Sequence, residues 1–286
     1  MNFSKLLLAG VCMGVLLASS TAGAQGIKDD VLASGERGRS YHDIFGNNIV
    51  KMLPAFRLKN RATSGSIENL KLLADGKVDL GFAQADVYAQ SVRSDRMRYG
   101  TITVVGRLVE ECIYLVGRRD GPVQNLAGLG AKVDGRPARI AVGPKGSGMS
   151  GTWSLLSKLT PSLAAAKVVH TGGVLSLNQL GLGMLDAVSW VNDPHDRGHV
   201  LLQAALTAPE LVLLPITDPA LEHKLDDGTP IYSLASVTLT NGRNTPPHPT
   251  LCTTALVFAA ANANPRLVEQ VSQALTLQRD TILGRD

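Results

Sequence analysis

The run from Thr63 to Val87, TSGSIENLKLLADGKVDLGFAQADV, constrains the fold more than any other part of this 286-residue chain. Ile67, Leu70 and Leu73 fall on one face of a helix, with Ser64, Gly65 and Ser66 at its start. Gly76 closes that helix as a left-handed cap, and Val78, Leu80, Phe82 and Ala83 then form an apolar strand that ends in polar Gln84 and Asp86. A helix with one apolar face followed at once by an apolar strand packs on a sheet, and its N-terminus stays open. Unpaired amides and the helix dipole suit such a terminus to a carboxylate or phosphate, while the same residues also serve as ordinary caps.

A second unit, RIAVGPKGSGMSGTWSLL at residues 139–156, again runs from an apolar strand through a glycine-rich turn into a helix. Gly143 and Gly148 have phosphate-loop spacing, but Met149 stands where that loop requires lysine, so the motif is not one for nucleoside triphosphates. Ser147 lacks both glycines of a hydrolase elbow, standing between Lys145 and Met149, and Ser150 lacks one of them, with Thr152 where the second is required. What remains is a loop in which Gly146, Ser147 and Gly148, with Lys145, offer amides, a hydroxyl and a cation to an anionic group. A third loop-to-helix start lies in VLASGERGRSYHDIFGNNIVKML, where Tyr41, Phe45, Asn48 and Met52 share a helical face. Arg37 or Arg39 there could offer a planar fork to a carboxylate, or could simply be solvated.

These runs, together with the later GLGMLDAVSW, resemble the solute-binding subunits of TRAP transporters of the TAXI type, which are type II periplasmic binding proteins. The resemblance implies an α/β fold of two lobes, each a mixed sheet flanked by helices, joined by two crossing strands. It places residues 25–112 with 253–286 in one lobe and 113–252 in the other. It implies capture of a small organic anion, an amino acid such as glutamate or a mono- or dicarboxylate, by a monomer that needs no cofactor and delivers its cargo to TRAP membrane subunits. No catalysis is implied. The ligand-binding set it suggests is Ser34, Arg37, Arg39 and Tyr41 from the first loop, Ser64, Gly65 and Ser66, then Gln84 and Asp86 from the strand end, Gly146, Ser147 and Gly148, and Trp190. The first loop departs from the family's glycine-rich pattern, since Glu36, Arg37 and Arg39 intrude around Gly35 and Gly38. Trp190 ends an apolar strand where the family turns an aromatic residue toward its cleft, and core packing is an equal reading.

Lys5, the apolar run Leu6–Ala18 and the small residues Ala22, Gly23 and Ala24 read as a cleavable signal peptide over residues 1–24, directing the chain to the periplasm. The apolar run is too short to span a bilayer. Its removal takes Lys5 away, so formal net charge falls from +4 to +3, too mild to signal nucleic-acid binding. Arg93, Arg96 and Arg98 are interrupted by Asp95 and read as a solvated loop. Asp193, His195, Asp196 and His199 could pass for metal ligands, but Pro194 and Gly198 break any helix that would align the histidines, so a polar loop is the better reading.

Elsewhere the chain alternates strand and helix, as an α/β sheet requires: an extended segment near residues 101–120, then AAKVVH, a helix over Leu177–Met184, LDAVSWV and LVLLPI. The segment TLCTTALVFAAA returns toward the first lobe, and Asn264 and Pro265 open a final amphipathic helix. Cys112 and Cys252 survive signal cleavage; in the fold the resemblance implies their strands are antiparallel neighbours, so they form either a disulfide or two buried thiols. Two other functions stay open: a transport-independent sensor with the same fold, and a secreted enzyme whose catalytic groups the sequence does not display.

Overall fold

The computed structural model describes residues 29–224, 230–239 and 246–285. The segment read as a signal peptide and most of the turn-rich connection before His248 lie outside them. After β1 (Val31–Ala33), a π-helical turn (Tyr41–Gly46) runs into α1 (Asn47–Met52), followed by β2 (Lys59–Arg61), α2 (Ser66–Ala74), β3 (Leu80–Gln84), α3 (Ala85–Ser94) and α4 (Arg96–Tyr99). The long β4 (Thr103–Arg118) leads to a β5 (Lys132–Val133) and β6 (Arg136–Pro137) hairpin, then β7 (Arg139–Ala141), α5 (Gly148–Leu159), β8 (Lys167–Val169), α6 (Gly173–Gly181) and β9 (Ala187–Asn192). The chain finishes with α7 (Val200–Thr207), β10 (Leu211–Leu214), β11 (His223–Lys224), β12 (Pro230–Val237), β13 (His248–Ala259), α8 (Pro265–Leu277) and α9 (Arg279–Leu283).

Eleven of these strands form one mixed sheet whose spine is β2-β1-β3-β13-β4-β9-β7-β8, with β10 on β4 and β12 on β13. The outer strands β2, β1 and β3 are parallel on one side, as are β9, β7 and β8 on the other. Two long antiparallel strands carry the chain between these halves. β4 pairs with β13 up to Cys112 and with β9 from Cys112 onward. β13 pairs with β12 before it reaches β4 and β3.

The period-2 alternation of strand side chains divides the core into layers. In the first half Leu32 and Phe82 pack toward α1, α8 and α9, whereas the next residues, Ala33 and Ala83, face Leu70 and Leu73 of α2. In the second half Ile113 and Leu115 meet Met149, Trp153 and Leu156 of α5, and Tyr114 and Val116 meet Leu177 and Leu180 of α6 and Leu201 of α7. Each of the leucine, isoleucine, valine, methionine and phenylalanine side chains among these contributes roughly 1.5–3 kcal/mol on burial.

Several elements differ from the sequence reading. β3 runs straight into α3 without a turn, because Gln84 is extended and Ala85 already helical. The arginine-rich stretch read as a solvated loop is the end of α3 and the whole of α4, which Asp95 caps by accepting from the Arg98 amide. Those arginines are nonetheless exposed. α6 begins and ends earlier than Leu177–Met184, since Gly173 and Gly183 are left-handed and bound it. α7 and β12 were not anticipated. Cys112 stands opposite Cys252 in the register of β4 and β13, and the two are joined as a disulfide.

Candidate functional site

Loops from both halves of the sheet converge on a cavity of about 190 Å³. That is below the roughly 300–1,000 Å³ of sites for drug-sized molecules and suits a smaller solute. From the first half, the β1 loop contributes Arg39 and Tyr41 to its wall. The guanidinium of Arg39 reaches toward α6, with one nitrogen 3.8 Å from where a Cβ on Gly173 would stand. Arg37 is exposed and off the cavity. Ser34 also lies behind the wall, fully buried, donating its hydroxyl to Asn60 at 2.6 Å and sitting 2.9 Å from His42 Nδ1. It braces the loop instead of lining the space.

The start of α2 is pressed against the turn before α5. Gly65 has φ +123°, and a Cβ there would come within 3.2 Å of Ser147 Cα, so both conformation and contact demand glycine. The Ser64 amide and hydroxyl donate to Glu68 at 2.8 and 2.6 Å. The carbonyl of Gly146 accepts from the amides of Ile67 and Glu68, which fills part of the α2 terminus from the opposite half and keeps Gly146 off the cavity wall. Ser66 accepts from the Gln84 amide at 3.2 Å. On the other side Ser147 caps α5, accepting from the Ser150 amide at 3.2 Å, and the Gly151 amide goes to the Ser147 carbonyl. Gly148 and Met149 are left as first-turn donors at the cavity wall.

Two strand ends complete the walls. Gln84 is fully buried with its Nε2 unpartnered, while Asp86 turns away from the cavity to accept from Thr152 at 2.6 Å and Tyr232 at 2.7 Å. Burial raises the Asp86 carboxyl above its ordinary range. Trp190, on β9, does two jobs at once: it stacks on Tyr114 with centroids 5.6 Å apart and lines the cavity, while its indole nitrogen is buried without a partner. His199 lies beside it, ring centroids 6.3 Å apart, and burial together with Arg39 depresses its pKa to about 4, so the ring is neutral.

The sequence reading placed Ser34, Arg37, Asp86 and Gly146 in the ligand-binding set, and the structure does not bring them to the wall. It brings together Arg39, Tyr41, Ser64, Gly65, Ser66, Gln84, Ser147, Gly148 and Trp190. It adds Glu111, Asn192, Asp193 and His199, which the reading missed. Glu111 had a signal. In a strand, neighbours face opposite sides, so one of Glu110 and Glu111 has to point inward. Burial, with Asp86 and Asp193 adding repulsion and Tyr41 opposing, pushes the Glu111 carboxyl up to about 8. Tyr41 and Glu111 approach each other without a hydrogen bond of normal geometry, and Glu111 Oε2 and the Tyr41 hydroxyl are both buried without a partner. Among the described residues, the cluster that could hold a metal, Glu110 with Cys112 and Cys252, has both sulfurs in the disulfide. No helix of the described residues is long and apolar enough to cross a membrane.

Residues 38–278 match the NMT1-like family. No curated protein is matched by sequence. Among solved structures, a Xanthomonas citri protein bound to ATP superposes with a TM-score of 0.54 at 14% identity, over 90% of this chain and 88% of that one. A putative L-cystine ABC transporter protein from Listeria monocytogenes gives 0.52 at 12% identity, over 87% and 89%. The substrate-binding protein of an amino acid ABC transporter gives 0.50 at 13% identity, over 90% and 98%. At these identities the likeness is one of fold, the two-lobed architecture of periplasmic binding proteins.

Proposed function

The chain belongs to the NMT1-like family, and from that membership we propose that it is an extracytoplasmic solute-binding receptor that captures a small organic anion between its lobes. In this reading it hands the solute to the membrane subunits of a TRAP-type transporter, as the resemblance to TAXI receptors implies. Residues 25–112 with 253–286 form one lobe and 113–252 the other, hinged where β4 and β13 cross. The observation that carries the reading is the convergence, at one small cavity between the halves, of the unpartnered Gln84 Nε2 and Trp190 indole nitrogen with the Arg39 side chain in the wall. Buried polar groups are ordinarily satisfied, and an anion is what these would satisfy.

A thermal-shift screen of amino acids and mono- and dicarboxylates, followed by calorimetry, tests it. Saturable binding of one solute per chain is expected, lost when Ser147 is replaced by tryptophan in a variant that still melts cooperatively. Silence across both solute classes, or full affinity in that variant, would count against a cleft receptor. Uptake measured with co-expressed TRAP membrane subunits tests the transporter type separately.

A further inference from the structure

We propose that Glu111 is the subsite for a protonated amine, so that the captured solute is a zwitterion and not a plain carboxylate. The inference rests on the receptor reading and narrows it. Glu111 is 6% exposed, lines the cavity, and its Oε2 has no partner. The other carboxyl groups near it are each satisfied. Asp86, on α3, accepts from two hydroxyls of the opposite half. Asp193, after β9, accepts from Arg285 and from the His195 amide. The remaining groups around Glu111 are the Tyr41 phenol from the π-helical turn and Thr253 across the ladder on β13. Arg39 and His199 belong to the cavity wall with the indole of Trp190.

The cavity therefore has two chemical ends. Arg39, Trp190 and Gln84 supply donors for an anionic group, whereas Glu111 supplies an acceptor among carboxyls. A dicarboxylate would bring a second negative charge beside Asp193, which lines the same end of the cavity, whereas an ammonium would be met there by Asp193 and by Glu111 once it has lost its proton. On binding, the Glu111 carboxyl gives its proton to solvent and the resulting carboxylate accepts from the ammonium. Binding is thereby coupled to proton release at neutral pH.

The test is calorimetry on the mature protein with matched pairs that differ only in the amine: L-glutamate with glutarate, L-glutamine with glutaramate, L-leucine with 4-methylpentanoate. Within any pair that binds, the amine member should be at least about tenfold tighter, the worth of a charge-assisted contact. Titrations at pH 7 in buffers of different ionisation enthalpy should show nearly one proton released per amine ligand, a readout that needs no variant. In Glu111→Gln the release should vanish and the preference should shrink to about threefold or less. A deaminated member that binds as tightly, proton uptake in place of release, or a preference that survives Glu111→Gln would overturn the proposal while leaving the receptor reading intact. Failure of every member to bind would remove both.

Discussion

Glu111 and His199 place two uncharged groups at the cleft with opposite pH consequences. The folded pKa of Glu111, about 8 against 4.5, means the folded chain holds this proton more tightly than the unfolded one. Its contribution is therefore complete below pH 4.5 and lost as pH rises toward 8, at up to about 1.4 kcal/mol per unit. Glu111→Gln should raise the melting temperature at pH 8 relative to wild type and do so much less at pH 5; an equal shift at both would contradict the assignment. His199 runs the other way. Its pKa of about 4 against 6.5 means stability is complete above pH 6.5 and falls as pH drops through 4. His199→Gln should accordingly flatten the acid side of the melting-temperature profile. Arg39→Ala should weaken the solute at least about tenfold, the loss of one charge-assisted bond, and Arg37→Ala should leave affinity unchanged. Calorimetry on the two variants separates the arginine at the wall from the one in solvent.

Helices α3 and α5 bring the two halves into close contact away from the cavity. Gly151 is the reason. A Cβ there would lie 2.7 Å from Val87, so Gly151→Leu should hold the halves apart, enlarging the radius of gyration in scattering and weakening the solute while both halves stay folded. Asp86 anchors the same contact, since it alone joins α3 to Thr152 and Tyr232. Asp86→Ala leaves two hydroxyls buried without an acceptor and should cost at least about 1.5–3 kcal/mol in denaturant unfolding. These elements also mark what the sequence makes legible. The α2–β3 run and the Asn264–Pro265 helix start carry their own punctuation, caps and glycines included, and both appear where the spacing places them. α3 carries none: with no glycine or proline anywhere from Phe82 to Tyr99, local pattern cannot show that strand has become helix at Ala85. Glycines of the binding loops could be found as turns, but their tightness against the facing half is a tertiary fact. Gly148 would put a Cβ 1.7 Å from Gln84, a residue 64 positions earlier and invisible to any local window. Glu111 shows the reverse case, a residue legible by alternation whose environment only the assembled cleft defines.

At the scale of the whole molecule, the long strands β4 and β13 run between the two halves among the described residues, and in the proposed receptor they are the hinge about which its lobes open and close. Scattering should record a smaller radius of gyration at saturating solute, and an unchanged one would favour a rigid domain. The disulfide closes a separation of 140 residues in sequence, which in the chain-entropy view stabilises the fold by roughly 4–5 kcal/mol. The Cys112→Ala, Cys252→Ala double variant should melt correspondingly lower, and thiol titration of the unfolded, unreduced exported protein should find no free thiol. The same bond also changes the chain's connectivity. Residues 112–252 become a covalent ring, and everything else hangs from it as two tails that leave from neighbouring points on the strand pair. One backbone cut anywhere inside that ring releases nothing: the nicked chain should migrate as a single species without reductant and separate into two fragments with it, whereas a cut in either tail frees a fragment at once.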